Sequence, residues 1–144
     1  MRINIRPIGD FDLAKAAPLC GELGYPATGD ELAPRLAKLK DNDDNLLLLA
    51  EGETGDALGV IHAGYLRMFI EAPQVIVLSL VVAETARGNN VGAKLLKEAE
   101  AWAKTKGVGA VMIGSNVVRE RAHKFYHAHG YREIKRWSVL KKMI

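Results

Sequence analysis

An α+β fold is predicted for this 144-residue chain: a mixed, largely antiparallel sheet of six or seven strands, flanked by about four helices in three layers. Three observations predict it. Apolar runs over residues 45–51, 58–68 and 75–82 follow one another across short turns, as neighbouring antiparallel strands do. Two helix-like segments lie before these runs. After them, helix-like and strand-like segments alternate to the end of the chain. That order alone leaves several α+β topologies open.

Arg2 to Pro7, with Ile3 and Ile5 alternating, reads as the first strand. Phe11 to Leu23 follows as a helix, with Asp10 placed to cap it and Gly24 to stop it. Gly24-Tyr25-Pro26 breaks the chain, and Thr28-Gly29-Asp30-Glu31 opens a second helix that ends near Lys40. Asn45 to Glu51 is a strongly apolar strand, and Glu53 to Asp56 turns it into the strand Leu58 to Met68. Ala72-Pro73 leads into an unbroken apolar strand, Val75 to Val82. A helix from Val91 to Lys106 then places Val91, Leu95, Ala99, Trp102 and Ala103 on one face. Val108 to Ile113 is a further strand, and Glu120 to Ala128 a short helix. Tyr131 to Ile134 and Ser138 to Lys142 read as a closing hairpin. No repeat, linker or low-complexity stretch interrupts the chain, so residues 1–144 are expected to form a single domain.

The segment Gln74 to Ala103 carries the most chemistry. A strand, a turn bearing Arg87, Gly88, Asn89 and Asn90, and a helix from Val91 together present unpaired backbone N–H groups at a helix N-terminus. The helix dipole favours negative charge there. Glycine at 88 and 92 removes Cβ atoms that keep a phosphate from the backbone. Read on its own, this is either a diphosphate cradle or a strand–turn–helix that uses glycine for packing.

The same stretch resembles the GCN5-related N-acetyltransferase (GNAT) family, whose hallmark is Gln/Arg-x-x-Gly-x-Gly/Ala between its fourth strand and third helix. Arg87 and Gly92 match that pattern. Asn90 stands in place of the central glycine, and asparagine tolerates a left-handed backbone better than most residues. Leu80 and Val82 match the family's Leu-x-Val strand ending. A second block, Ala122-His123-Lys124-Phe125-Tyr126-His127-Ala128-His129-Gly130-Tyr131, resembles the family's Ala-x-x-x-Tyr-x-x-x-Gly-Phe signature. The resemblance covers nearly the whole chain. One departure is that many members carry a glutamate base on the central strand, where this chain has Ile76, Val77, Leu78 and Ser79.

The resemblance implies an acetyl-CoA-dependent N-acetyltransferase acting on a primary amine of a small molecule or peptide in a ternary complex. The pantetheine arm is expected beside Leu80 and Val82, with the Val82 N–H polarising the thioester carbonyl. The pyrophosphate is expected on the main chain of Arg87, Gly88, Asn89, Asn90, Val91, Gly92 and Ala93, and Asn116 beside the cofactor arm. Where many relatives carry a cofactor-contacting asparagine, this chain has Arg119. Tyr126 is expected to protonate the departing thiolate, as a phenol can. The base is left open among a water held by Ser79 or by main-chain carbonyls, the carboxylates Glu22, Asp30 and Glu31, and an amine that arrives neutral from solution. A catalytically silent acyl-CoA sensor is the other reading. Homodimers are common in the family, so a homodimer is a further expectation.

Composition narrows the partners. The net charge of +3 hides a division. Residues 1–56 hold eleven Asp/Glu against six Lys/Arg, and residues 57–144 hold six against fourteen. A basic half suits the phosphates of CoA, and an acidic half suits a cationic acceptor. The basic charges are interleaved with acidic ones on helices, which argues against nucleic acid as a partner. No apolar run reaches the ~20 residues of a membrane span, and the start of the chain lacks a signal-like apolar stretch. The single Cys20 has no internal disulfide partner. A cytoplasmic protein is the expectation. His123, His127 and His129 lack a cysteine or HExxH glutamate to complete a metal site, so no metal is expected. His62 and Cys20 read as packing residues, Trp102 as a helix anchor, and Trp137 as a core or dimer residue.

Overall fold

The computed structural model of the chain describes residues 2–115 and 119–144. They divide into two compact units, one ending at Gly114 and the other starting at Ser115. In the first unit the chain runs β1 (Asn4–Pro7), a 3-10 turn (Asp10–Asp12), α1 (Leu13–Leu23), α2 (Gly29–Lys40), β2 (Asn45–Glu51), β3 (Ala57–Leu66) and β4 (Gln74–Val82). A second 3-10 turn (Glu84–Ala86), α3 (Val91–Thr105) and β5 (Val111–Ile113) follow. The strands lie in the order β1-β2-β3-β4-β5. Pairing is antiparallel as far as β4, and β5 joins it in parallel. A parallel neighbour needs a long crossover, and α3 supplies it.

Side chains explain the helices. Leu13, Ala16 and Leu19 recur at helical spacing on α1 and are buried. Gly24 ends α1 at φ 100°, a left-handed position that glycine fills without strain. Thr28 and Glu31 form a reciprocal capping box at the start of α2. On α3, Val91, Leu95, Leu96, Ala99 and Ala103 are buried. Full burial of one such leucine contributes roughly 1.5–3 kcal/mol.

The two faces of the sheet are assigned by contacts. Arg6 and Glu51 reach Asp12 and Lys15, so the face bearing Arg6, Leu49 and Glu51 is covered by α1. Gly59 lies against Val91 and Leu95, so α3 covers the other. A Cβ on Gly59 would sit 2.9 Å from the Val81 oxygen and 3.1 Å from both Val91 and Leu95. Glycine at this position therefore lets α3 start directly over β3.

In the second unit α4 spans Glu120–Ala128 and Gly130 turns the chain at φ 90°. Residues 131–144 form neither helix nor strand, so the described sheet has five strands rather than six or seven. The expected hairpin lacks two requirements. Lys135, Arg136 and Trp137 offer no Gly, Asn or Pro to close a tight turn, and an isolated two-stranded ribbon is marginal. At the other end, Asp10 opens the 3-10 turn instead of capping α1, and Asp12 holds the cap position. The Asp12 carboxylate turns back to accept the Gly9 N–H and is drawn into ion pairs.

Candidate active site

The site begins with an irregularity in β4. Val77 pairs with Ala63, but the next pair is Ser79 with His62, so Leu78 is an extra residue on β4. A bulge of this kind reverses the in-out phase of a strand. Val75 and Val77 before it are buried, and Leu78 at the bulge is 52% exposed. After it, Leu80 and Val82 stand opposite Ile61 and Gly59 on the α3 face. Ser79 stands opposite His62 on the α1 face.

The bulge coincides with the parting of β4 from β5. Their parallel register covers Val75–Val111, Ile76–Met112 and Val77–Ile113, and ends there. From Leu78 to Val82, β4 has no strand partner on that side among the described residues. An exposed strand edge beside a gap can accept an extended chain as an added strand. Leu80 and Val82, both half-buried, lie on this open stretch.

Downstream, the chain makes a left-handed turn into α3. Gly88 has φ 88°, and Asn90 at φ 62°, ψ 21° is the non-glycine residue with positive φ among the described residues. Asn90 thus takes the left-handed geometry that a glycine would take, as its tolerance for that region allows. Asn89 Nδ2 donates to the Ala86 carbonyl at 3.1 Å and braces the turn from within. Arg87, Gly88 and Asn90 are exposed, while Val91 and Gly92 are buried as α3 begins. The Asn90 side chain makes no capping hydrogen bond at this end of α3. Its first N–H groups have no acceptor inside the helix and are available to an anion. An open strand edge, a turn with open space at Gly88 and an uncapped helix start fit an extended ligand carrying phosphates. Leu80, Val82 and the segment Arg87–Ala93 are thereby brought into one continuous run.

Two of the three carboxylates considered as bases have structural partners. Glu22 Oε1 accepts the Glu84 N–H at 3.0 Å and caps the turn after β4. Glu31 Oε1 accepts the Thr28 N–H at 3.1 Å. Asp30 is exposed at the start of α2.

Tyr126 belongs to the second unit. It is half-buried on α4, its ring edge-on to Phe125 at 5.4 Å and to Tyr131 at 6.1 Å. Its carbonyl accepts the Tyr131 N–H at 3.0 Å, which locks the end of the motif to the helix. Burial pushes the phenol above its ordinary value and the nearby charge of Arg119 opposes that shift, so Tyr126 stays protonated through neutral pH. Asn116 lies outside the described residues. His129 packs its ring 4.6 Å from Phe125. Among the described residues, no three His, Cys, Asp or Glu side chains cluster as metal ligands. No helix among them is long and apolar enough to cross a membrane.

One residue read as packing has a more specific setting. His62 Nε2 lies 3.0 Å from Asn45 Oδ1 on the neighbouring strand. Burial pushes its imidazole below the ordinary histidine value, so it is neutral at pH 7. Nothing local in the sequence marks this pairing, because Asn45 and His62 meet only through strand register.

The chain is similar to known proteins in sequence and in fold. The family model for the acetyltransferase (GNAT) family matches residues 16–131. The aminoalkylphosphonate N-acetyltransferase of Salmonella typhimurium is 29% identical over 117 residues, covering 80% of this chain and 72% of that protein. Among solved structures, an aminoglycoside 6'-N-acetyltransferase from Acinetobacter baumannii superposes with a TM-score of 0.86 at 23% identity, covering 99% of each chain. Glucosamine-6-phosphate N-acetyltransferase from Arabidopsis thaliana gives a TM-score of 0.83 at 21% identity, covering all of both chains.

Proposed function

The chain belongs to the GNAT acetyltransferase family, and on that premise we propose how its residues carry out acetyl transfer and which amine they serve. The protein is an N-acetyltransferase that moves acetyl from acetyl-CoA to a primary amine. In our reading both units act within one acetyltransferase domain. Acetyl-CoA supplies an acyl group activated as a thioester. Leu80 and Val82 bind its arm through their backbone groups, with the Val82 N–H aimed at the developing oxyanion. Arg87 to Ala93 hold the pyrophosphate through main-chain N–H groups. Tyr126, through its place in the motif that ends at Tyr131, donates the proton that the departing thiolate takes up.

The observation that carries this reading is the end of β4–β5 pairing at Val77 and Ile113, upstream of an uncapped helix start. A packing-only turn has no reason to pair these features.

The acceptor we infer is a small cationic amine. The acidic balance of residues 1–56 supports it, and so do relatives whose substrates are small amines. Homodimer formation is in keeping with the exposed Phe69 and Ile70 at the tip of the β3–β4 loop, at 105% and 92% exposure. A cytoplasmic setting suits the lone Cys20. Calorimetry with acetyl-CoA and CoA tests the cofactor site, followed by a free-thiol assay over aminoalkylphosphonates, aminoglycosides and polyamines. Micromolar binding with turnover on one amine class is expected. Absence of binding by both ligands overturns the reading.

A further inference from the structure

We propose that His62 is the proton acceptor of the reaction, working through a water molecule held at Ser79. The proposal rests on the acetyl-transfer reading above and supplies the base that β4 itself lacks. β4 carries no titratable side chain between Gln74 and Val82. β3 carries His62 and Tyr65, and these occupy alternate positions of the strand, so they face opposite sides of the sheet.

Three observations bring His62 to the reacting end of β4. First, the Leu78 bulge puts Ser79 opposite His62; with regular pairing from Val77 onward Leu78 would stand there instead. The irregularity therefore places a hydroxyl beside the imidazole where an apolar side chain would otherwise lie. Second, Ser79 directly precedes Leu80, the start of the stretch assigned to the thioester, and pairing with β5 has just ended at Val77. Third, the Asn45 carbonyl oxygen only accepts, so Nε2 of His62 carries the hydrogen of their 3.0 Å bond. That leaves Nδ1 as the basic nitrogen. Both residues are half-buried, within reach of water.

The proton balance is simple. The amine nitrogen bonds to the acetyl carbon, the carbon–sulfur bond breaks, and the thiolate gains one proton. An acceptor that arrives as an ammonium first gives up one proton to become the nucleophile, and the nitrogen loses a second as the amide forms; that second proton passes through the water at Ser79 to His62 Nδ1 and then to solvent. Charged and titratable groups on the elements that form or cover this face are Arg6 on β1, Asp12 in the 3-10 turn, Glu51 on β2, Lys15, Cys20 and Glu22 on α1, and Asp30, Glu31, Arg35, Lys38 and Lys40 on α2. Glu51 and Lys15 are bonded to each other, and Glu22 is bonded to the Glu84 N–H. The amine's own ionisation is common to every variant, so the part of the acid limb that the His62 variants lose is the part assigned to His62.

The experiment compares the wild type with His62→Gln, His62→Asn and Ser79→Ala on the amine that gives the fastest turnover. Acetyl-CoA affinity, thermal midpoint and the pH profile of kcat/KM are measured for each, and nitrogen NMR reads the histidine tautomers of the free protein. We expect both His62 variants to fold and bind acetyl-CoA within about twofold. They lose about 100-fold in kcat at neutral pH, with the acid limb flattened. Ser79→Ala loses less and keeps that limb. In the wild type, His62 appears as a neutral imidazole protonated on Nε2. A His62 variant with unchanged kcat and acid limb overturns the proposal while leaving the acetyltransferase reading intact. A wild type that binds acetyl-CoA but acetylates no amine overturns both.

Discussion

Arg6 and Asp12 meet through both guanidinium arms: Nη1 reaches Oδ2 and Nη2 reaches Oδ1, each at 2.7 Å. The Asp12 side chain is fully buried. Arg6 Nη2 also reaches Glu51 at 2.7 Å, and Lys15 bridges Glu51 and Asp12 at 3.0 and 3.3 Å. Four charges thus join β1, the 3-10 turn, α1 and β2 at one corner of the sheet. Two cations balance two anions, and a bidentate fork is the strongest geometry for such a pair. Replacing Arg6 with Met removes the bidentate partner of the buried Asp12 and leaves it only Lys15 at 3.3 Å and the Gly9 N–H. We predict a loss of about 3–5 kcal/mol in unfolding free energy, read by urea denaturation. Simultaneous replacement of Arg6 and Asp12 by apolar residues should cost less than either change alone.

The same corner sets an acid limit. The hydrogen bonds from Arg6, then the Gly9 N–H and Lys15, hold the Asp12 carboxyl well below the usual carboxylate range despite its burial. A depressed folded-state pKa stabilises the protein fully above the unfolded value, near 4, and that stability is lost as pH falls through the folded value. The thermal midpoint should therefore decline from about pH 5 downward. In Asp12→Asn the decline should be shallower and begin from a lower plateau.

Asn90 gives a prediction about backbone geometry alone. At φ 62° a β-branched residue is strained by roughly 1–2 kcal/mol, whereas glycine is not. Asn90→Val should weaken acetyl-CoA binding by about 5- to 30-fold if that strain appears wholly in the bound loop. Asn90→Gly should bind within about twofold of wild type. Equal affinities for the two variants would show that the loop does not depend on a left-handed residue at 90.

Gly59 tests the platform under α3. A Cβ there meets the Val81 carbonyl at 2.9 Å, and backbone cannot yield as a flexible side-chain tip can. Gly59→Ala should lower the thermal midpoint, with a cost of about 1–3 kcal/mol from overpacking. It should also reduce acetyl-CoA affinity, because Val91 and the helix start move with it.

Much of this was readable along the chain. β2 begins and ends where apolar patterning puts it, α4 spans the residues expected of it, and Gly24 and the Thr28–Glu31 box stop and start their helices by local chemistry. The left-handed Asn90 follows from its side chain and its place in the turn. The bulge at Leu78 was not readable. Ser79 is a lone polar residue inside an apolar run, and with both faces of β4 packed by helices its position alone does not mark a change of phase. The Asn45–His62 pair and the buried Asp12 depend on partners far along the chain or across strands, where local patterning carries no information. The C-terminal hairpin failed for a related reason. Ile134, Trp137 and Val139 have the composition of strands, but a strand also requires a partner edge.

Tyr126 separates an enzyme from a silent acyl-CoA sensor. Its phenol is kept protonated by burial, the state required to donate to a thiolate. Tyr126→Phe removes the donor and keeps the ring that packs edge-on to Phe125 and Tyr131. The thermal midpoint should therefore change little. For an enzyme using this proton, kcat should fall by about 100-fold or more while acetyl-CoA affinity holds within about twofold. The loss should be smallest with an acyl donor whose leaving thiol is more acidic than that of CoA, since such a group departs without help. A uniform loss across donors would assign Tyr126 a packing role, and unchanged turnover would remove it from the chemistry.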